Sequence, residues 1–592
     1  MKTSVSCACL ATAMLFATVP VRAADRVPKA PPAASGVPSA DSGAAPDQGV
    51  LFKPESVTSS GSVTVAGSRI DYTAVAGTIV VHPKGWDDAA RRERQGAADL
   101  GDRPDPDRDA KDGDKDNPQA EASMFYVAYF RKGVSAKARP ITFLYNGGPG
   151  SSSVWLHMGA FGPRRVVTAD NTHTAAAPYR LIDNDYSLLD ASDLVFIDAP
   201  ATGFSRVAGK DKEKAFFGID ADAYAFEQFI KGFLSRHGRW NSPKYLFGES
   251  YGTPRSAVVV NGLTTENDID FNGVMLLSQI LSFDLSADSS ERNPGIDQAY
   301  ITTLPTFAAT AWYHHALPGP QPAALEPFLK EVEQFATTDY ALALQQGSEL
   351  GANRRAQIAD RIARYTGLPA AYVLKSDLRV NGGQFAQMLL GSQGSVTGRL
   401  DSRFVGPAID PLAREASYDP QSASISSAYV SLFNDYVRTD LHYGMGKDYK
   451  PESDAYKTWD MRHKPPGVTD QPEGGPNVIP DLANAMKYDP KLKVMVAGGY
   501  FDLATPFFEG WYEMHHLPIP AALAGNIEYH YYQSGHMVYA NEAALKSLHD
   551  DAADFIARTD NLIPARTAPR HSSARAASGR ASSEAGPPGA PG

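Results

Sequence analysis

Short, unbroken apolar runs recur along the chain at Ile141–Tyr145, Leu194–Ile197, Tyr245–Phe247, Val274–Leu277 and Val494–Ala497, each close to Gly, Pro or Asp. Runs of this length without polar alternation suit strands buried on both faces, as in a parallel sheet. Helical stretches fall between some of them, for example Ala221–Leu234, so a mostly parallel sheet covered by helices is expected. Upstream, Val63-Thr64-Val65 and Thr78–Val81 are separated by Gly67-Ser68 and Gly77, which predicts short antiparallel strands, with another at Met124–Phe130. From about Ser282 to Pro480 the pattern changes to amphipathic helices such as Leu325–Val332 and Arg354–Tyr365, read as an inserted helical cap. The strand signal returns at Lys493. The expected fold class is therefore α/β: a core in two parts, residues 51–281 and 481–561, with the cap at 282–480 between them.

The ends of the 592-residue chain have a different character. Lys2, an apolar stretch from Val5 to Val19 and then Val21-Arg22-Ala23 read as a signal peptide over residues 1–23, cleaved after Ala23 or Ala24. Residues 24–50 and 562–592 are dominated by Pro, Ala, Ser, Gly and Arg and are expected to be a linker and a disordered tail. Export follows from the signal, to the periplasm or the medium, and no other apolar run is long enough to span a bilayer. The two cysteines, Cys7 and Cys9, both lie inside the signal, so the exported protein is expected to hold together without disulfides. The formal charge of −11 comes without a basic stripe interleaved with aromatics, which argues against nucleic acid. A mixed-charge run from Asp105 to Asp116 lacks the spaced Glu of an EF-hand and reads as a solvated insertion. The histidines are scattered, and the adjacent pairs His314-His315 and His515-His516 point apart on regular structure, so no metal site is implied. No phosphate-binding Gly-rich loop appears, and no cofactor is expected. Oligomeric state is not legible.

The strongest chemical signal is Gly248-Glu249-Ser250-Tyr251-Gly252, directly after the strand Tyr245–Phe247 and before a helix expected from Thr253 toward Leu263. A serine on a sharp strand-to-helix turn needs small neighbours two residues away on each side, and Gly248 and Gly252 provide them. Its hydroxyl is a weak nucleophile without an imidazole base, which in turn needs an acid to orient it. In the order that this arrangement requires, Asp502 follows the strand Val494–Ala497, and His536 follows the strand-like Ile527–Tyr532. Taken singly, Asp502 could cap a turn and His536 could be a satisfied surface histidine; jointly, in order and at strand ends, they read as catalytic. Tyr145-Asn146-Gly147-Gly148-Pro149-Gly150-Ser151-Ser152, also directly after a strand, can supply one backbone donor to an oxyanion, and the Tyr251 amide another.

These segments, together with Asp198–Ser205 and Gly535-His536-Met537-Val538, resemble the signatures of the serine carboxypeptidase family, in order from about Ile141 to Val538. The resemblance implies an α/β-hydrolase fold and removal of carboxy-terminal residues from peptides by Ser250, Asp502 and His536. It also implies an oxyanion hole at the Gly148 and Tyr251 amides. Asn146, the Gly147 amide and Glu249 would hold the substrate's terminal carboxylate, and Met537 would lie near the departing side chain. An esterase or acyltransferase on the same fold is the alternative within this class; a non-catalytic binding protein is the alternative outside it. Four positions depart from the family pattern. Ser151 stands where Cys is usual, so its loop is expected to be held by packing; Ala160 stands where a Glu would share a proton with Glu249, so Glu249 is expected to lack the partner that raises its pKa. Tyr500 stands where an Asp is often found, and Tyr539 where Pro is usual.

Overall fold

The computed structural model describes residues 51–86, 120–288, 290–470 and 475–562. The expected signal peptide, the linker at 24–50, the charged run Asp105–Asp116 and all but the first residue of the tail at 562–592 lie outside the described residues. Among the described residues no helix is long and apolar enough to cross a membrane.

Nine strands carry the main sheet: β1 (Ser56–Val65), β2 (Ser68–Val81), β3 (Glu121–Arg131), β4 (Ile141–Tyr145), β5 (Asp193–Ile197), β6 (Lys244–Glu249), β7 (Gly273–Leu277), β8 (Lys493–Gly499) and β9 (Ile527–Tyr532). Their spatial order is β1-β2-β3-β5-β4-β6-β7-β8-β9, with a short strand at Arg206–Ala208 beside β3. Pairing is antiparallel from β1 through β3 to β5 and parallel from β5 to β9. This is the α/β-hydrolase arrangement, with the expected antiparallel strands at its amino-terminal edge. Gly77, which the sequence reading took as a break, lies inside β2 opposite Ser56; a Cβ there would run into the Glu55 carbonyl oxygen, so glycine permits close backbone approach and ends nothing.

Side chains alternate across the parallel strands into two cores. Tyr245, Phe247, Met275, Leu277, Met495 and Ala497 face one side, while Leu246, Val274, Leu276, Val494 and Val496 face the other. The second face is covered by helices α1 (Ile219–His237) and α2 (Gly252–Glu266). The insertion between β7 and β8 does not behave as one unit. Helices α3 (Gln298–Tyr313), α4 (Leu325–Phe335) and α5 (Ala352–Thr366) build their own apolar cluster, whereas α6 (Pro420–Thr439) packs Ile425, Tyr429, Phe433 and Tyr436 into the first core of the sheet. Helix α7 (Ile479–Tyr488), at the insertion's end, returns to the second face, and α8 (Phe507–His515) and α9 (Glu542–Thr559) are the last helices among the described residues.

Candidate active site

Ser250 sits between the end of β6 and the start of α2 with φ at 59°, the left-handed region that a serine enters only under constraint. The constraint is visible: its N–H donates to the Leu277 carbonyl at the end of β7 at 3.0 Å. Both flanking glycines are needed. A Cβ on Gly248 would meet the Gly252 carbonyl and the Ser256 hydroxyl, and one on Gly252 would meet the Tyr145 carbonyl at 2.9 Å. Glu249 and Tyr251 on either side are buried, while Ser250 itself retains exposure.

Asp502 follows β8 and is fully buried. One oxygen, Oδ1, accepts from the Ala504 and Thr505 amides at 2.8 and 3.0 Å; the other accepts from the Thr505 hydroxyl at 2.7 Å and from His536 Nδ1 at 2.8 Å. Thr505 Oγ1 also lies 3.1 Å from His536 Nδ1, so with the hydroxyl proton committed to Asp502 it receives a share of the Nδ1–H. That tautomer leaves Nε2 as the proton-accepting nitrogen. Burial opposes a charge on His536, but the adjacent Asp502 carboxylate outweighs it and raises the imidazole pKa above its usual value. The His536 loop comes this close because Gly499 has no side chain: a Cβ there would strike the carbonyls of Ser534 and Gly535. The insertion closes the loop from its other side, the Leu400 carbonyl accepting from the His536 amide at 2.6 Å.

The Asn146–Ser152 loop leaves β4 and packs against the elbow. A Cβ on Gly147 would meet the amides of Tyr251 and Gly252, and Gly148 takes φ at 103°, a conformation that glycine adopts without strain. The Tyr251 amide stands at the N-terminus of α2, where a helix leaves its first N–H groups unpaired within itself. Asn146 is held at both ends, its Oδ1 accepting from Leu156 N at 3.0 Å and its carbonyl from Arg255 Nη1 at 2.7 Å. Arg255 in turn pairs with Asp222 on α1 at 2.6 Å, both side chains within 1% of full burial.

Two expectations about this loop change. Ser151 is held by hydrogen bonds as well as by packing: its hydroxyl donates to Glu452 at 2.9 Å and accepts from Trp155 Nε1 at 2.9 Å, and the backbone pairs across through Ser152 N to Pro451 O and Ser453 N to Gly150 O. Glu249, despite Ala160, is nevertheless raised, to about 7, because it is buried; His536, the Tyr539 hydroxyl and Asn146 all act against that rise. Met537 is only 6% exposed and belongs to the first core cluster, and Tyr500 packs on Phe507 and Tyr531. Thr505, Arg255, Asp222 and Glu452 were not singled out from the sequence. A buried-helix arginine five residues after the nucleophile is the one local signal that could have drawn attention to Arg255.

A serine on a strained strand-to-helix turn and a buried Asp–His pair thus both lie at the carboxyl ends of the parallel strands of an α/β-hydrolase fold. The serine carboxypeptidase family model matches residues 115–310, a segment that contains the Asn146–Ser152 loop and the elbow and ends before Asp502 and His536. Over that segment the chain is similar to the serine carboxypeptidase family and to curated relatives that carry its name. Those relatives include serine carboxypeptidase-like 38 of Arabidopsis thaliana, 27% identical over 183 residues, covering 29% of this chain and 35% of that one. A carboxypeptidase Y homolog of Arthroderma benhamiae is 28% identical over 158 residues, covering 26% of this chain and 29% of that one. The matches thus span about a third of the length of these relatives. Among solved structures, a proline iminopeptidase from Mycobacterium smegmatis aligns over 74% of this chain and 96% of its own at 13% identity and a TM-score of 0.31. A peroxisomal alpha-beta-hydrolase from Saccharomyces cerevisiae aligns over 83% and 93% at 9% identity and the same TM-score.

Proposed function

We propose that this protein is an exported serine carboxypeptidase in which Ser250, His536 and Asp502 act as the catalytic triad. The observation that carries this reading is the His536 Nδ1 to Asp502 contact at 2.8 Å, fully buried at the strand ends where the Ser250 elbow also lies. His536 Nε2 takes the Ser250 proton as Oγ attacks the carbonyl of the last peptide bond. The resulting oxyanion is met by the Gly148 and Tyr251 amides. The imidazolium then delivers its proton to the departing amine, and water, activated by the same nitrogen, releases the acyl group. Asn146, the Gly147 amide and neutral Glu249 receive the terminal carboxylate, with Met537 beside the departing residue. Specificity for a free carboxy terminus is supported by the burial of Glu249, which favours its protonated, hydrogen-bond-donating form at mildly acidic pH. The test is hydrolysis of N-blocked dipeptides bearing free or amidated carboxy termini, with Ser250→Ala as the blank. Cleavage that prefers the free acid and disappears in S250A is the expected result. Cleavage of simple esters alone would move the assignment to an esterase or acyltransferase, and a folded protein that resists labelling by a fluorophosphonate would make it a binding protein. Export is tested by fractionation, which should find the chain outside the cytoplasm and shortened at about Ala23.

A further inference from the structure

Tyr539, in the turn that follows His536, is 3% exposed, and its hydroxyl donates to Glu249 Oε2 at 2.8 Å. The space for its ring is made by the Leu156–Phe161 turn: a Cβ on Gly159 would lie 2.7 and 2.8 Å from the Tyr539 ring edge and 2.6 Å from the Tyr429 hydroxyl. The Asn146 side chain lies beside both Glu249 and Tyr539, its Oδ1 held by Leu156 N. The buried carboxyl is therefore held by a neutral donor from the loop that carries His536.

We propose that Tyr539 is a positioning residue for the carboxylate end of the substrate site, holding Glu249 through one oxygen and thereby setting the pH above which free-acid substrates cease to bind. This rests on the reading of Glu249 as part of that subsite. Glu249 is faced by His536 and Asp502 from the loops after β9 and β8, by Tyr539 and Asn146, and by Tyr429 on α6. Burial raises it to about 7, and the tyrosine hydroxyl, which stabilises the ionised form, limits that rise. Below that pH the neutral carboxyl donates to the substrate carboxylate; above it two carboxylates repel. Removing the hydroxyl removes a stabiliser of the ionised form, so the neutral form persists to higher pH.

The experiment is KM and kcat from pH 5 to 9 for an N-blocked dipeptide as free acid and as amide, in the full chain and in Tyr539→Phe, which keeps the ring that packs on Gly159. In the unaltered protein KM for the free acid should rise above about pH 7, and KM for the amide should not. In Y539F that rise should move about one pH unit upward, lowering free-acid KM up to about tenfold on the limb, while KM for the amide shows no such limb in either protein. A free-acid limb that stays where it was overturns the role of Tyr539 while leaving the subsite intact; free acid and amide behaving alike in the unaltered protein overturns the subsite itself. If Y539F does not fold, Glu249→Gln carries the test: the limb must vanish, and its persistence refutes the proposal.

Discussion

Arg255 and Asp222 form an ion pair with 0% and 1% of their side chains exposed, and a second guanidinium nitrogen holds the Asn146 carbonyl at the start of the substrate loop. Neither charge has water to fall back on. Arg255→Met keeps the length that packs against Phe226, whose ring centre lies 4.4 Å from the guanidinium carbon, but it orphans a buried carboxylate and a buried carbonyl. Breaking one side of a buried pair costs about 3–5 kcal/mol. In Arg255→Met/Asp222→Leu the orphaned charge is gone and only the Asn146 carbonyl remains unpaired, about 1–3 kcal/mol. The double variant should therefore be the more stable of the two. The assay is urea unfolding followed by tryptophan fluorescence at pH 7 and pH 5. Acidification should also narrow the gap, because burial already raises the Asp222 pKa and loss of its partner raises it further, so protonation relieves R255M but not the double variant. A double variant less stable than R255M at both pH values would refute the charge-burial argument.

Three further outcomes follow from the same geometry. Asp502→Asn presents an amide to two donors, the Thr505 hydroxyl and His536 Nδ1–H, and should lower kcat by about four orders of magnitude with the fold retained by circular dichroism. Gly147→Ala drives a Cβ into the amides of Tyr251 and Gly252 and should cost at least about 1–3 kcal/mol together with activity, read by thermal unfolding and turnover. His463, clamped between Asp220 and Asp481 at 2.6 and 2.8 Å, has its pKa raised to about 9: burial opposes the charge and the two carboxylates outweigh it. A group raised on folding stabilises fully below its unfolded value near 6.5 and loses that contribution as pH rises through 9, so His463→Gln should flatten the stability loss between those limits in denaturant titrations.

The strands that could be read from the sequence are those buried on both faces. Ile141–Tyr145 has the bounds expected, and Leu194–Ile197, Tyr245–Phe247, Val274–Leu277 and Val494–Ala497 gain one or two residues at an end. Met124–Phe130 begins three residues earlier, at Glu121, and Ile527–Tyr532 keeps its bounds although it is a half-buried edge strand. Gly77 misled because a glycine that permits close backbone approach looks, in sequence, like one that ends a strand. The elbow and its glycines were legible since their spacing is local. Glu452 and the Arg255–Asp222 pair were not, because each acts on a residue brought near only by the fold, Glu452 lying 301 positions from the Ser151 it holds. Thr505 is three residues from Asp502, but an Asp followed by a Thr at that spacing is a common turn and carries no signal of its own. Tyr539 was noticed as a departure from the family pattern, but its partner Glu249 is 290 positions away, and nothing local tells a buried tyrosine that fills space from one that also donates.

The same long-range contacts decide how separable the insertion is. Helices α3 to α5 share an apolar cluster, but that cluster also takes in Phe501, Leu503, Phe507 and Phe508, the residues surrounding Asp502 in sequence. The Arg399 and Leu400 carbonyls accept from the amides of Leu503 and His536, and Ser402 N donates to the Phe501 carbonyl. Further along, Pro451–Ser453 pair with the Asn146–Ser152 loop that follows β4. The loops that carry Asp502 and His536 are thus both tied to Arg399–Ser402, and the Asn146–Ser152 loop to Pro451–Ser453. A lid that merely covered a finished site could be deleted with the site left standing. Here segments that bond to the loops carrying Asp502, His536 and Ser151 belong to the insertion itself, so the sheet supplies the positions of the strand ends and the insertion helps to fix the loops that leave them.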